Sequence, residues 1–289
     1  VKQFADWVTR RGYRAGFIAA ALALVPLLGV AGSGLLVLTS LRRSSAAAWV
    51  AAVTATLVLL VASVAGGAGM LAATLAGLVF WAPAVGLAEI LKRTGSFSVT
   101  VQVGMTVSLL MAGLWSLASG GGLSVALGQQ LTPWLEARGF DAQTIESLLT
   151  LVPGTMAMTL LIAALSGLLL GMWWHAALSS PGALAQAFRS LRLGRVFAVI
   201  GMTVLAGGIV TGQTIFANLM VVVLFSFALQ GLALIHAIGA ARSWPAGALA
   251  LLYVMLFFGM SVVAPLLAVA GILDNWLDFR GRLAGPPRV

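Results

Sequence analysis

The stretch IFANLMVVVLFSFALQGLALI, residues Ile215–Ile235, contains no charged side chain. Its 21 residues, wound as a helix at about 1.5 Å each, reach across a hydrocarbon core of about 30 Å. Apolar residues run on here without alternating, which favours a helix over a barrel strand. A helix also pairs its backbone N–H and C=O groups internally, as hydrocarbon demands. Charge-free runs recur at 46–64, 70–88, 99–118, 160–174 and 196–210. Only 16 basic and 7 acidic residues occur among 289, and 61% of the chain is hydrophobic. A soluble protein of this length could not bury so much apolar surface. The expected fold is an all-α, polytopic transmembrane helical bundle of about eight to nine spans. It forms a single integral membrane domain over residues 1–289.

Charge orients the bundle. The net charge of +9 would suit a nucleic-acid partner, but the basic residues sit in short clusters beside apolar runs. That is the positive-inside arrangement, so the bilayer is the expected partner and nucleic acid is not. If residues 14–40 crossed once, the 16 Lys and Arg would divide evenly between the two sides. If that run enters and returns, turning at Gly29–Gly34, twelve of the 16 fall on one side. The second reading predicts a broken or re-entrant first hairpin, with the N-terminus cytoplasmic. Non-helical backbone at that depth must be buried in protein or line a cavity. A similar break is expected at Pro265. The first run, Gly16–Thr39, is too long for the apolar core of a cleavable signal peptide.

The same count places residues 119–150, an amphipathic loop, outside the cytoplasm. Thr132 before Pro133 reads as a helix start, Gly139 as a helix end, and Asp141 as the cap of a second helix before Pro153. Packing on the membrane surface is the plain expectation for this loop; a lid over a solute is the alternative. Trp49, Trp115, Trp173, Trp174, Trp244 and Trp276 fall near run ends, as interfacial tryptophans do. Gly167/Gly171 and Gly208/Gly212 have the spacing that permits close helix approach.

Chemistry-bearing residues are few. The chain has no cysteine, which removes disulfides, thiol nucleophiles and thiolate metal sites. Two histidines and 7 scattered acids do not make a metal site, and no cofactor is expected. Glu89 lies at i, i+3 and i, i+4 from Lys92 and Arg93, the spacing of a local ion pair. No His–acid pair stands beside a serine, so the chain is expected not to be an enzyme. Neutral amides remain. Gln102, Asn218 and Gln230 are the candidate ligand-binding residues, because an unpartnered amide in hydrocarbon is costly. Arg192, Arg195, His236, Asp274, Asp278 and Arg280 are the candidate partner-docking residues. They sit at run ends, three of them in the polar–aromatic segment Asp274–Arg280.

Three stretches carry a family resemblance: Phe188–Arg195, Leu229–His236 and Gly271–Arg280. With the span order, they make the chain resemble the YybS-like bacterial membrane proteins, whose activity is not established. The chain departs from them at Gly194, where many members have proline. The first half is similar to the S components of energy-coupling-factor vitamin transporters. The resemblance implies a multi-pass protein of the bacterial cytoplasmic membrane that binds or helps transport a small solute. It also implies a transporter ATPase module or other membrane protein as partner. The alternative is a membrane scaffold or assembly factor that docks a partner through cytoplasmic basic loops.

Overall fold

The computed structural model describes residues 2–25, 28–66, 68–118 and 122–283. Among the described residues the chain is helical, with no strand. Two compact units share it, residues 1–103 with 160–188, and residues 104–159 with 189–289.

The first unit begins with α1 (Lys2–Thr9), α2 (Gly12–Ala23) and α3 (Gly29–Arg42). The run expected to break is therefore two helices, but the break lies between Ala23 and Gly29, one turn earlier than Gly29–Gly34. Pro26, in this break, lies outside the described residues. The glycines assigned to the turn lie on α3, and two of them, Gly32 and Gly34, sit at close contacts with other helices. A Cβ on Gly32 would stand 3.1 Å from the Ala19 carbonyl oxygen, so its absence lets α2 and α3 approach. Residues 19 and 32 pair symmetrically about the break, which makes the two helices antiparallel.

Next come α4 (Ser45–Gly66), α5 (Ala68–Thr94) and the start of α6 (Phe97–Leu117). Gly16 of α2 sits on Ala51 and Thr54 of α4. The core here is built largely from small residues, with Ala15, Ala19, Ala48, Ala51, Ala52 and Ala55 buried around Leu36, Leu59 and Trp81. Lipid tails are as apolar as leucine, so association comes from close backbone packing, which small residues allow. Trp81, two residues before Pro83, is a core side chain.

Helix ends gather at one end of this unit. Asp6 of α1 pairs with Arg42 of α3, and the Lys92 ammonium of α5 donates to the Ser40 carbonyl at 2.8 Å. Glu89 accepts from Arg93 at 2.7 Å, the expected local pair. The latter half of α9 (Val152–Ser179) runs along α3, with Gly167 against Ser33 and Gly171 against Val37.

The second unit takes the rest of α6, then α7 (Gly122–Glu136), α8 (Ala142–Thr150) and the first turns of α9. The expected helix start at Thr132–Pro133 is not there, because α7 runs through both residues. Pro133 falls in the helix's last turn, where its missing N–H removes the i→i−4 bond to the Gln129 carbonyl. Gly139, at φ +83°, ends the segment as expected.

After α10 (Ala183–Arg189) come α11 (Gly194–Thr211), α12 (Thr214–Ala241), α13 (Ala246–Phe258), α14 (Met260–Leu277) and α15 (Phe279–Leu283). The last apolar run breaks at Gly259 and not at Pro265, which lies inside α14. Gly212 is a left-handed cap of α11 facing open space, so of the Gly208/Gly212 pair Gly208 alone lies against α12, at Phe216. The centre of the unit is the antiparallel pair α12–α14. Gly231 lies on the backbone of Leu267, and Gly271 on the backbone of Phe227. Among the described residues, six helices are long and apolar enough to cross a membrane: those within Ser45–Ala62, Phe97–Leu117, Val152–Ser179, Gly194–Thr211, Thr214–Ala241 and Met260–Leu277. The shorter apolar helices are Gly29–Arg42 and Ala246–Phe258.

Candidate functional site

The first N–H groups of a helix have no partner within it. Two helices of the second unit solve this with amides from α12. At the start of α9, Pro153 has no N–H, and Gly154 N–H donates to Asn218 Oδ1 at 2.7 Å. A side chain on Gly154 would collide with the Asn218 backbone. The Asn218 Nδ2 protons go to the carbonyls of Thr150, at 3.0 Å, and Thr214, at 3.1 Å. One buried amide thus links the end of α8, the start of α9 and its own helix.

Gln230 repeats the device at α11. Leu193 N–H donates to Gln230 Oε1 at 2.9 Å, and Gly194 N–H to Asn275 Oδ1 at 2.9 Å. Gln230 Nε2 donates to the Gly271 carbonyl at 2.8 Å. Gly194 has φ +82°, which proline's ring forbids. Asn275 was missed as a site residue on reading the sequence. Its signal was its place one helical turn after Gly271.

Around this cap the charged candidates hold one another. The Asp274 carboxylate, fully buried, lies 3.2 Å from Arg280 Nε and 3.7 Å from Arg192 Nε. Arg192 also pairs with Asp278, Arg280 donates to the Arg189 carbonyl, and Arg195 Nε donates to the Asn275 carbonyl at 3.2 Å. The Asp274–Arg280 contact lacks hydrogen-bond alignment, so charge holds it. The Asp278 carboxyl is held below the usual carboxylate range, first by the Arg192 hydrogen bond and then by the Gly281 N–H. Burial lowers the Arg280 guanidinium from its ordinary value, against the opposing pull of Asp274. His236 lies apart from this clasp, with Nδ1 against the Leu232 carbonyl at 2.9 Å and Nε2 against the Tyr253 hydroxyl at 3.0 Å.

The second feature is a cleft of about 980 Å³ walled by α7, α8 and the residues around Asn218. Its polar lining includes Gln129, Thr132, Glu136, Glu146, Thr214 and Asn218, and no Lys or Arg is among the described lining residues. Leu135 and Ile145 are buried where α7 meets α8. Asp141 caps α8, accepting the Thr144 N–H at 2.7 Å, and that bond holds its carboxyl below the ordinary range. Arg138, the loop's single basic residue, lies over the Trp134 ring at 3.4 Å from its centroid.

Of the three candidate ligand residues, Asn218 lines this cleft. Gln230 is twelve residues further along α12, about 18 Å away at helical rise, and Gln102 belongs to the first unit, half-buried on α6. Glu136, Glu146 and Gln129 were not singled out from sequence. Their signal was the clustering of acids in 119–150 with one basic residue.

The family described as Predicted membrane protein (DUF2232) matches residues 123–275, more than half of the chain. The chain belongs to that family. The DUF2232 match takes in α8 to α13 with both capping amides and leaves the N-terminal hairpin outside. No curated protein and no solved structure matches the chain.

Proposed function

We propose that this DUF2232 protein is a non-enzymatic membrane component that binds, or helps move, a small solute held in the cleft beneath α7 and α8. The observation carrying this reading is the cleft itself, about 980 Å³ with two carboxylates and several hydroxyls. Small-molecule sites span about 300–1,000 Å³ and carry a few convergent polar groups. Asn218 spends both amide protons within the protein, so Glu136, Glu146 and Gln129 are the groups left to meet a solute. Arg192, Asp274, Asp278 and Arg280 spend their charges on one another, which favours solute binding over the scaffold alternative. The chain resides in the bacterial cytoplasmic membrane with its N-terminus inside, following the distribution of basic residues. A partner ATPase module supplies coupling energy, as the S-component resemblance implies.

The test is purification of the full chain from native membranes in mild detergent, with mass spectrometry of retained small molecules. The wild type is expected to retain a stoichiometric solute. The Glu136→Gln/Glu146→Gln variant loses it at unchanged melting temperature. Equal retention by both overturns the cleft as the site; a reproducible protein partner with no solute favours the scaffold. For sidedness, Ser44→Cys and Gln143→Cys, made one at a time in this cysteine-free chain, are expected to label from opposite sides with an impermeant reagent. Ser119, the other natural probe position, lies outside the described residues.

A further inference from the structure

The first unit contains a separate cavity of about 810 Å³, between α1, α2, α3 and the end of α9. Ala5, Val8, Leu22, Leu35, Leu38 and Trp174 face it, and among the described lining residues Lys2 is the charged one. It lies at the end where basic residues gather. Eight Lys and Arg from α1, α2 and the ends of α3 and α5 stand there against two acids. Both acids are already taken, Asp6 by Arg42 and Glu89 by Arg93. Phe4, Trp7, Tyr13 and Phe17 are exposed beside them, and Arg14 lies over the Trp7 ring at 4.8 Å from its centroid. Exposed aromatics next to cations suit the headgroup layer, where each has an apolar body and a polar neighbour.

A basic end alone is an ordinary insertion signal. Here it overhangs an apolar cavity, and the two together define an amphiphile: an apolar chain with an anionic head. We propose that this cavity holds one acyl chain of an anionic phospholipid, with Lys2 at its phosphate. The lipid is a bound structural ligand, in a different unit and with different chemistry from the cleft beneath α7 and α8. Neither proposal depends on the other.

The test reconstitutes the full chain in vesicles of phosphatidylcholine with a minority of phosphatidylglycerol, repurifies it in mild detergent and quantifies retained lipid by mass spectrometry. Retained phosphatidylglycerol is expected to exceed its vesicle share roughly fivefold, the effect of one Lys or Arg near an anionic surface. Lys2→Glu removes the preference. Ala177→Trp projects a ring into the cavity from an exposed lining position and removes retention itself. Retention in the vesicle ratio, undiminished retention in a folded Ala177→Trp, or free fatty acid in place of phospholipid overturns the proposal. Should Ala177→Trp fail to fold, acyl-brominated phosphatidylglycerol provides a second reading. It is expected to quench the fluorescence difference between wild type and Trp174→Phe, and an unquenched difference overturns the assignment.

Discussion

Asn218 and Gln230 perform one task in two surroundings. Each is an amide on α12 that receives the leading N–H of another helix, α9 for Asn218 and α11 for Gln230. Asn218 does so on the wall of an open, carboxylate-lined cleft. Gln230 does so in a sealed seam, between Gly271 and Asn275 and beside the buried Asp274. The difference teaches how to read a polar residue in an apolar helix. The amide alone signals that a backbone group elsewhere needs a partner. What surrounds it decides whether a solute also has room.

The sharpest way to break this comparison is at the charges. Asp274→Ala removes a fully buried carboxylate and leaves Arg280, itself only 13% exposed, without its partner. Removing one partner of a buried pair typically costs about 3–5 kcal/mol. Glu146→Ala, in the open cleft, is expected to stay within about 0.5 kcal/mol, as surface substitutions do. Thermal unfolding of both variants in the same detergent measures the contrast. Equal melting temperatures would mean that the seam is no more sealed than the cleft.

Next in size is the glycine seam. Gly231→Ala places a methyl group on the Leu267 backbone, and overpacking of this kind costs about 1–3 kcal/mol. Gly247→Ala, where a Cβ meets open space, is its control. The two glycines look alike in sequence, and an equal cost would remove close approach as the reason for Gly231.

The amides themselves come third. Gln230→Leu strands the Leu193 N–H in a sealed site, for about 1–3 kcal/mol. Asn218→Leu strands the Gly154 N–H beside an open cleft, where water can replace part of the lost bond. Its cost is expected nearer the net worth of one hydrogen bond, about 0.5–1.5 kcal/mol. Hydrogen exchange at Leu193 and Gly154 separates the cases, with the larger loss of protection at Leu193. The opposite order would assign the cleft to the protein's stability and weaken it as a solute site.

Much of the fold was legible because charge is costly in hydrocarbon. The distribution of basic residues favoured a reading in which 14–40 turns back, and α2 and α3 are antiparallel. The turn's position was not legible. Gly29, Gly32 and Gly34 look the same in sequence whether they bend a chain or let another helix close in, and here Gly32 does the latter. Thr132–Pro133 misled for a related reason, since a proline in the last turn of a helix carries the same letters as one in the first. Asn218 and Gln230 stood out as polar residues in apolar runs. Their partners, Gly154 for Asn218 and Leu193 for Gln230, lie 64 and 37 positions away, and only the fold brings them together. The cleft was hidden because its acids sit in a loop whose plain reading is packing on the membrane surface, with a lid only as the alternative.

The smallest effect tests the outer edge of the clasp. Asp278 is more than half exposed, and Arg192 holds its carboxyl below the ordinary range. A depressed carboxylate contributes stability above its unfolded value of about 3.9 and loses it as pH falls through the lower folded value. Acidification below about pH 4 should therefore weaken the clasp in the wild type. Asp278→Asn should start less stable and lose less over the same interval. Melting temperatures from neutral to acid pH, at low and high salt, measure this directly. Because the pair is exposed, added salt should shrink the difference between the two proteins. A difference that ignores salt would place Asp278 inside the sealed seam with Asp274, and the boundary between the two surroundings would have to be redrawn.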